Sequence, residues 1–298
     1  MSTQLAYTVA QNVVGMYRDP DTSSEMVSQA IFGDTVQSLA AEGRFTYVRT
    51  ADHYEAWILT RWLSPHDDAV DYVHTTIAPL FATVVSEPEH SAEIVTRLTV
   101  GSRVILGRER VRGDYVPLRM PGGLTAYTHS GNISLTFERG PEEFSLAGAV
   151  GGRAMAVEAL GEHLTMAARQ FIGTPYLWGG TTPFGLDCSG FTQLVYRING
   201  IQLLRDAHLQ IDDRRFGAVH SDGGLDNSAL APGDLLFFGK TDHKITHVGM
   251  ALGDATFIHS AGSGRGVAIS SCGDPEFNST FAGARRLLPD SNLAVEAA

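Results

Sequence analysis

Apolar and polar positions follow different patterns in the two halves of the chain. In the first half, short runs rich in Val, Ile, Thr and Tyr are broken by Gly, Asp and Pro, as in FTYVRT, YEAWIL, RVILGRER and YVPLR. Such runs predict β-strands joined by tight turns. In the second half, apolar side chains recur at helical period after a glycine-rich segment, at Phe191, Leu194, Val195 and Ile198. This spacing predicts a helix that begins near Cys188.

The strand-rich half contains an internal repeat with a constant offset of 68 residues. The matched pairs are Pro20 and Pro88, Glu25 and Glu93, Val27 and Val95, Gly33 and Gly101, Val36 and Val104, Tyr47 and Tyr115, and Val48 and Val116. Two copies of a unit built only from short strands predict two small closed barrels. We place the first unit at residues 1–66 and the second at 67–140.

The two copies differ in their aromatic residues. At the same offset, Tyr54 and Trp57 of the first copy align with Gly122 and Thr125 of the second. The first copy alone then keeps an aromatic pair for an interaction surface, and the second copy looks more like a spacer. The alternative is that both rings fill the interior of the first barrel.

The third part of the chain differs from the first two in composition and in its predicted elements. Residues 141–163 are rich in Ala, Gly, Glu and Met and predict a linker followed by a helix, with a third domain over 164–298. Its helical and glycine-rich segments, including a short helix in GIQLLRDAHLQ, come before the apolar or alternating runs LLFFGK, ITHVGMAL, ATFIHSA, GVAISS and FAGARRLL. Helices followed by strands predict an α+β domain with an antiparallel sheet.

Composition limits the function classes. A net charge of −11 argues against nucleic acid or an anionic wall polymer as a partner and leaves small ligands. The chain begins without the basic start and apolar run of a signal peptide, and it contains no apolar stretch long enough to span a bilayer. Two cysteines agree with a reducing compartment. We therefore expect a cytoplasmic protein without a membrane partner, and no obligatory protein partner is evident.

Cys188 is the candidate nucleophile. Asp187 stands in the capping position of the predicted helix, so the thiol lies at a helix N-terminus. The backbone N–H groups and the helix dipole there favour an anion, and we expect the pKa of the thiol to be lowered. The alternative is a buried structural thiol. We interpret the other cysteine, Cys272, as incidental.

A thiol nucleophile needs a base and a group that orients the base. His247 and His259 lie in two strand-like runs, with Gly253 and Asp254 between them as a hairpin turn. A turn centred near residue 253 places the two histidines opposite or nearly opposite each other, so that one orients the other. We assign His247 as the general base and His259 as its orienting partner.

The remaining histidines and a metal site are weaker candidates. His208, His220 and His243 lie in polar contexts and are interpreted as surface residues. Cys188 and the His247–His259 pair offer three ligands, but no CxxC or HExxH spacing supports a metal. We expect neither a metal nor a cofactor.

Six ordered motifs over residues 174–262 carry a family resemblance: TPYLWGG, DCSGF, LLRDAHLQ, APGDLLFF, HVGMAL and FIHSAG. The third domain resembles NlpC-type papain-like cysteine peptidases, which hydrolyse peptidoglycan peptides between γ-D-glutamate and a diamino acid. The resemblance implies that Cys188 is the nucleophile, His247 the base and His259 the third member. It also implies that the Tyr176 hydroxyl stabilises the oxyanion with the Cys188 N–H.

The two barrels resemble bacterial SH3 (SH3b) domains, and the arrangement is similar to a subgroup that recycles muropeptides with a free N-terminal L-alanine. The resemblance implies that the amine is recognised by Asp187 together with residues of the first barrel, which we assign as Glu25 and Tyr54. Further pocket candidates are Trp178, Ser189, Asp206 and, for a substrate carboxylate, Arg205. The alternatives are core packing for Trp178 and capping or surface ion pairing for the others. LLRDA lacks the proline that relatives often have before the arginine, which puts the shape of this loop in doubt.

The sequence therefore predicts a cysteine endopeptidase that cleaves the γ-D-glutamyl to diamino acid bond, with diaminopimelate or lysine, of small murein peptides in cell-wall recycling. One rival is a thiol amidase or acyltransferase on the same fold. The other is a non-catalytic protein that binds murein peptides.

Overall fold

The computed structural model describes residues 5–66, 72–134, 138–139, 157–219, 228–240, 244–262 and 264–288. The chain divides into two compact units, Met1–Phe144 and Ser145–Ala298. The predicted linker before residue 157, together with His220 and His243, lies outside the described residues.

The first unit begins with a seven-stranded antiparallel sheet. Its strands are β1 Ala6–Val9, β2 Val13–Tyr17, β3 Met26–Ile31, β4 Thr35–Glu42, β5 Phe45–Arg49, β6 Glu55–Leu59 and β7 Leu63–Pro65. Their order across the sheet is β3-β2-β6-β5-β4-β1-β7. Alternate residues of each strand point into one small core, which includes Val14, Val36, Val48 and Ile58.

A second seven-stranded sheet follows in the same unit. Its strands are β8 Val73–Thr76, β9 Phe81–Val85, β10 Ile94–Thr99, β11 Arg103–Leu106, β12 Tyr115–Arg119, β13 Thr125–His129 and β14 Glu138–Arg139. The order β10-β9-β13-β12-β11-β8-β14 is the order of the first sheet with every label raised by seven. The repeat seen in the sequence is therefore a repeat of topology.

The offset of 68 holds only as far as Val36 and Val104. Gln37 pairs with Arg49 across β4 and β5, whereas Ile105 pairs with Arg119 across β11 and β12, so the offset rises to 70 after this hairpin. The second copy has two extra residues in that connection. The predicted matches of Tyr47 with Tyr115 and of Val48 with Val116 are therefore wrong.

The corrected offset changes the comparison of aromatic residues. Trp57 pairs with Tyr17, and at the equivalent place Tyr127 pairs with Val85, so the partner of Trp57 in the second copy is Tyr127. Trp57 lies between the buried Ala56 and Ile58 and faces away from the core. Its ring packs against Tyr47 with 5.0 Å between centroids. The interpretation that Trp57 fills the barrel is wrong.

The two barrels share a buried contact. The Phe32 side chain leaves the first sheet and packs in the core of the second, against a cluster that includes Ile77 and Leu98. The Arg103 N–H donates to the Phe32 carbonyl at 3.1 Å, and the Thr99 N–H donates to Asn12 Oδ1 at 3.1 Å. The tandem barrels therefore form one packed body, in agreement with their single compact unit.

The second unit places helices before a sheet, as the sequence predicts. Its helices are α1 Val157–Arg169, α2 Cys188–Ile198, α3 Ala207–Ile211 and α4 Pro275–Asn278. A two-stranded hairpin of β15 Thr181–Thr182 and β16 Gly185–Leu186 precedes α2. The six-stranded antiparallel sheet contains β17 Phe216–Ala218, β18 Leu235–Gly239, β19 Ile245–Ala251, β20 Thr256–Ala261, β21 Gly266–Ser271 and β22 Phe281–Leu287, in the order β17-β22-β18-β19-β20-β21.

The helix predicted at the start of the third domain is α1, which spans the boundary placed at residue 164. The helix predicted over GIQLLRDAHLQ is only five residues long, because Ile201, Leu203 and Arg205 bury alternate side chains in a segment that is not helical. None of the helices in the described segments is long and apolar enough to cross a membrane.

Candidate active site

The glycine-rich loop and the start of α2 form one tight turn around Cys188. The Asp187 N–H donates to the Gly180 carbonyl at 3.0 Å, and a side chain at Gly190 would place its Cβ 2.1 Å from that same carbonyl oxygen. Glycine at 190 is thus what allows the loop to lie against the first turn of the helix. The sequence prediction of a helix beginning at Cys188 with Asp187 as its cap is confirmed.

The Asp187 carboxylate is the centre of a buried network. One oxygen accepts from the Gly190 N–H at 2.7 Å, as a helix cap, and the other accepts from the Gly179 N–H at 3.0 Å. Arg205 forms a bidentate ion pair with the same carboxylate, with Nη1 3.1 Å from Oδ1 and Nη2 2.5 Å from Oδ2. Its Nη1 also donates to Ser189 Oγ at 3.0 Å. The cap, the loop and the nucleophile turn are therefore held by one carboxylate.

Three of the predicted substrate-binding residues belong to this network. Asp187, Ser189 and Arg205 are 7%, 6% and 1% exposed, and their polar groups hydrogen-bond to one another. These contacts position the turn that carries Cys188. Direct contact of the three side chains with a substrate amine or carboxylate stays a prediction.

The two histidines form a direct hydrogen bond. His247 Nε2 lies 2.7 Å from His259 Nδ1, and the two rings meet edge to face with 4.9 Å between centroids. The pairing of one histidine with the other is as predicted. Because Nε2 of His247 is occupied, its Nδ1 is the nitrogen that remains for the thiol proton.

The register of the hairpin differs from the prediction. Met250 pairs with Ile258 and Ala251 with Phe257, so the turn is centred on Asp254, one residue later than expected. Continuing this register puts Gly249 opposite His259, and a Cβ on Gly249 would lie 3.1 Å from the His259 Cβ. His247 and His259 are therefore diagonal neighbours, two residues out of register, and reach each other through their long side chains.

The Cys188 sulfur lies beside the start of β19. The backbone N–H groups of Val248 and Ser189 donate toward it, which places the thiol next to the residue that follows His247. Cys188 is half-buried. The nucleophile and the base thus come from α2 and from β19, which pack against each other.

The pKa of the Cys188 thiol is raised to about 11, contrary to the prediction that the helix N-terminus lowers it. Burial is the largest cause and the negative charge of Asp187 the second; the two N–H groups and the Arg205 charge lower the pKa by less. Taking a thiolate out of water therefore outweighs the helix terminus.

Burial also determines the state of the histidines. It lowers the pKa of His247 to about 4, against a smaller opposing effect of Asp187, and that of His259 to about 3, with further lowering by the charges of His247 and Arg265. Both imidazoles are neutral at pH 7. The resting site is then a neutral thiol beside a neutral base.

Tyr176 lies next to this site. Its backbone is bridged to Leu186, two residues before Cys188. Burial, followed by the charges of Cys188 and Asp187, raises the pKa of the Tyr176 hydroxyl to about 12. The hydroxyl is therefore protonated at neutral pH and can donate a hydrogen bond.

The remaining candidates occupy varied positions. Trp178 is 62% exposed on the glycine-rich loop, so the core-packing alternative is wrong. Asp206 is the N-cap residue of α3, but its side chain makes no capping hydrogen bond.

The two candidates of the first unit have partners there. Glu25 forms an ion pair with Arg18 at 2.7 Å, and the Tyr54 carbonyl accepts a hydrogen bond from the Thr50 hydroxyl. His208 is exposed on α3, as predicted, and Cys272 is 1% exposed in the core beneath the sheet.

Comparison with known families identifies the domain that carries this site. The NlpC/P60 family matches over residues 173–286, and a bacterial dipeptidyl-peptidase Sh3 domain matches over residues 16–63. Residues 173–286 form an NlpC/P60 domain. The predicted resemblance of the third domain to this family is confirmed.

Two relatives illustrate the match. The chain is 39% identical over 130 residues to a gamma-D-glutamyl-L-lysine dipeptidyl-peptidase of Bacillus cereus, a match that covers 43% of this chain and 37% of that protein. It is 26% identical over 272 residues to dipeptidyl-peptidase 6 of Lysinibacillus sphaericus, covering 87% of this chain and 89% of that one. The first match thus spans less than half of that curated relative.

A solved structure supports the fold over most of the chain. The crystal structure of an NlpC/P60 family protein from Bacillus cereus has a TM-score of 0.76, with 95% of this chain and 100% of that chain covered, at 22% identity. At this identity the likeness shows the fold alone. The NlpC/P60 fold and an SH3-like domain are thereby established.

The sequence reasoning missed several residues of the NlpC/P60 domain. Ser270 lies with its Oγ 3.0 Å from His259 Nε2. Ser260, next to His259, donates to the Leu186 carbonyl at 2.6 Å and so ties β20 to the segment before Cys188. Phe277 packs its ring against both histidines, at 6.4 and 5.2 Å. Ser260 lies within the FIHSAG motif, but Ser270 and Phe277 lie outside the six motifs and reach the histidines only through the fold.

Across the described residues, no group of three or more His, Cys, Asp or Glu side chains is arranged to hold a metal ion.

Proposed function

We propose that this protein is a cysteine peptidase that hydrolyses the γ-D-glutamyl to diamino acid bond of peptidoglycan-derived peptides. The observation that carries the proposal is the 2.7 Å bond between His247 Nε2 and His259 Nδ1 beside the Cys188 sulfur. A nucleophile, a base and an orienting group in this order are the components of thiol acyl transfer. The name of the Bacillus cereus relative supports the choice of bond.

In the first step the thiol is deprotonated as it attacks. The proton of Cys188 passes to Nδ1 of His247, and Sγ bonds to the carbonyl carbon of the γ-D-glutamyl group. The carbonyl electrons move onto oxygen, which accepts hydrogen bonds from the Cys188 N–H and from the protonated Tyr176 hydroxyl. His259 accepts from Nε2–H of the His247 imidazolium and so stabilises it.

In the second step the tetrahedral intermediate collapses. His247 returns its proton to the leaving amine of the diamino acid, the C–N bond breaks, and a Cys188 thioester remains. Water, deprotonated by the same imidazole, then attacks the thioester carbonyl and releases the γ-carboxylate with the free thiol. Coupling proton transfer to attack is necessary here, because burial keeps the resting thiol protonated with its raised pKa.

We further propose that the substrate carries a free N-terminal L-alanine. The carboxylate of Asp187 is committed to Arg205 and to two backbone N–H groups. Asp187 is the residue that the resemblance assigns to the ammonium group, and Asp206, at the start of α3, is a further candidate. Glu25 and Tyr54 remain the candidates from the first barrel, and Trp178 offers an exposed ring beside the nucleophile loop.

The second barrel is proposed to be a second SH3-like domain. Its strand order repeats that of the first sheet element by element, and residues 16–63 of the first barrel match a bacterial dipeptidyl-peptidase Sh3 domain. The third domain is likewise proposed to share the papain-like order of nucleophile helix followed by base strand. The net charge of −11 favours small released peptides over an anionic polymer as the substrate, which supports a role in wall recycling.

The substrate proposal is tested with four peptides: L-Ala-γ-D-Glu followed by diaminopimelate or by lysine, each with a free or an acetylated N-terminus. Mass spectrometry should show L-Ala-D-Glu released from the free forms, with kcat/KM lower by about 100-fold or more for the acetylated forms, since a buried carboxylate would lose its ammonium partner. Equal rates for free and acetylated peptides would remove amine recognition. No cleavage of any of the four would remove the peptidase proposal.

Asp206→Asn tests whether the Asp206 carboxylate contributes to recognition of the amine. The variant should narrow the difference between free and acetylated peptides, because the carboxylate that favours the ammonium group is gone. Asp212→Asn, at the other end of α3, is the matched control and should leave that difference unchanged. If Asp206→Asn keeps the full preference for a free amine, the amine is recognised elsewhere.

A further inference from the structure

We propose that Ser270 is a positioning residue that determines which ring nitrogen of His259 carries the proton, and thereby sustains His247 as a base. This rests on the proposed function, in which His247 takes the proton of Cys188. Ser270 belongs to none of the motifs of the sequence, and its role is inferred only from contacts.

The contacts form a continuous relay. His247 Nε2 is 2.7 Å from His259 Nδ1, and His259 Nε2 is 3.0 Å from Ser270 Oγ. His259 and Ser270 are 1% and 8% exposed, so solvent does not substitute freely for either bond. In the β20–β21 pairing His259 lies opposite Ala268, which puts Ser270 one diagonal step away on the same face.

The chemistry of the base fixes the direction of every bond in this relay. Once His247 has accepted the thiol proton, both of its ring nitrogens are donors. His259 must then accept at Nδ1, and a neutral His259 that accepts at Nδ1 carries its proton on Nε2. The Nε2–H in turn needs an acceptor, and the Ser270 hydroxyl oxygen is in place to accept.

The other groups around His259 do not offer this acceptor. Phe257 and Phe277 pack their rings against the imidazole, with centroids 4.8 and 5.2 Å away. Arg265, the remaining charged group that acts on His259, has only donors. Among the described contacts of His259, the hydroxyl of Ser270 is thus the group suited to hold the productive tautomer.

The Ser270→Ala variant should lose this acceptor and leave a buried N–H without a partner whenever His247 is protonated. We expect kcat to fall roughly tenfold with KM changed by less than about twofold, since the lost bond acts on the proton transfer and not on the bound peptide. Ser270→Thr keeps the hydroxyl and should restore most of kcat. Ser279→Ala, which removes an exposed serine hydroxyl beyond α4, is the matched control and should behave as wild type.

A double-mutant cycle separates positioning from a structural role. In a His259→Ala background, Ser270→Ala should have no further effect on rate, because it acts only through His259. A ¹⁵N-histidine spectrum of the full chain, with His259 assigned by the signal lost in His259→Ala, should show the proton on Nε2. A proton on His259 Nδ1 in the wild type would overturn the proposal, and so would an additive effect of Ser270→Ala in the double variant.

The rate at which iodoacetamide alkylates Cys188 at pH 7.5 is measured on the same variants. It should follow the same order as kcat, since alkylation also requires removal of the thiol proton. This readout and the spectrum need no peptide, so they test Ser270 even where the substrate proposal has failed. Equal alkylation rates for wild type and Ser270→Ala, with only thermal stability changed, would make Ser270 a structural residue and overturn the proposal.

Discussion

At the scale of single residues, opposing effects act on the Cys188 sulfur. A helix N-terminus and two N–H groups favour the thiolate, while burial and the charge of Asp187 disfavour it. Burial is the larger effect, because the terminus supplies only about half an elementary charge whereas desolvation removes most of the hydration of the anion. The reactivity of this thiol must therefore come from the neighbouring base and not from a preformed thiolate.

The pH dependence of activity follows from His247. Its pKa, lowered to about 4 by burial, keeps the base neutral at pH 5.5, where an ordinary histidine is about nine-tenths protonated. We expect kcat/KM to remain on its plateau at pH 5.5 and to fall only as the pH approaches 4. An acid limb centred near pH 6.5 in initial-rate measurements would contradict this.

The free energy of unfolding, measured over the same pH range, is the control for the pH profile of kcat/KM. The pKa values of His247 and His259 are lower in the folded protein than in the unfolded chain, so the unfolded chain binds protons first as the pH falls. Their contribution to stability is complete above about pH 6.5 and is lost between there and the folded pKa values. Unfolding free energies measured at each pH therefore show whether a falling rate reflects the base or the fold.

Substituting each cysteine separates chemistry from packing. Cys188→Ala should abolish turnover with little change in unfolding free energy, since it removes only the sulfur atom of a partly exposed residue. Cys272→Ala should do the reverse, with a loss of about 1 kcal/mol from the buried side chain and full activity. Urea unfolding and peptide turnover are measured on both. Residual turnover in Cys188→Ala would show that another group attacks the substrate.

At the scale of elements, the Asp187–Arg205 pair joins the start of α2 to the segment before α3. Asp187→Asn should lower the free energy of unfolding by about 3 kcal/mol, because it leaves the Arg205 charge buried without its partner. Glu276→Gln, in the exposed pair with Arg265, is the control and should cost less than about 0.5 kcal/mol. Urea unfolding measures both. Similar losses in the two variants would mean that the buried pair is not holding the turn.

The close approach of β19 and β20 at Gly249 is a second element-scale feature. A Cβ at this position would lie 2.6 Å from the Phe257 ring and 3.1 Å from the His259 Cβ. Gly249→Ala should therefore push His259 away from His247 and lower kcat by about tenfold or more. Gly273→Ala, whose Cβ would meet only Ser271 Oγ at 3.5 Å, is the control. Unchanged turnover in Gly249→Ala would show that the histidine pair tolerates displacement.

At the scale of the whole molecule, the tandem barrels behave as one packed body because Phe32 of the first fills the core of the second. Phe32→Ala should lower stability by about 3 kcal/mol and raise amide exchange in both barrels. Peptide-level hydrogen exchange over residues 5–66 and 72–134 of the full chain measures this. Faster exchange confined to the first barrel would show that the two fold independently.

Much of this organisation could be predicted from local pattern. The strand YVPLR and the strand GVAISS have the predicted bounds, and α2 begins at Cys188. The pattern could not reveal that the second copy has two extra residues in its β11–β12 connection, because Tyr115 and Val116 preserve an apparent match at the old offset. Register depends on hydrogen bonds between strands, and these are not encoded in the residue types alone.

The sequence by itself was enough to predict that Cys188 begins a capped helix and that His247 and His259 lie on neighbouring strands, since these are local features. Only the tertiary structure decided what surrounds them. Asp187 and Arg205 are 18 residues apart in the sequence, Phe238 and Phe257 are 19 apart, and Ser270 reaches His259 across a strand pair. Burial is a property of the assembled fold, so only the fold could raise the pKa of the Cys188 thiol, pair Asp187 with Arg205 and bring Ser270 to His259.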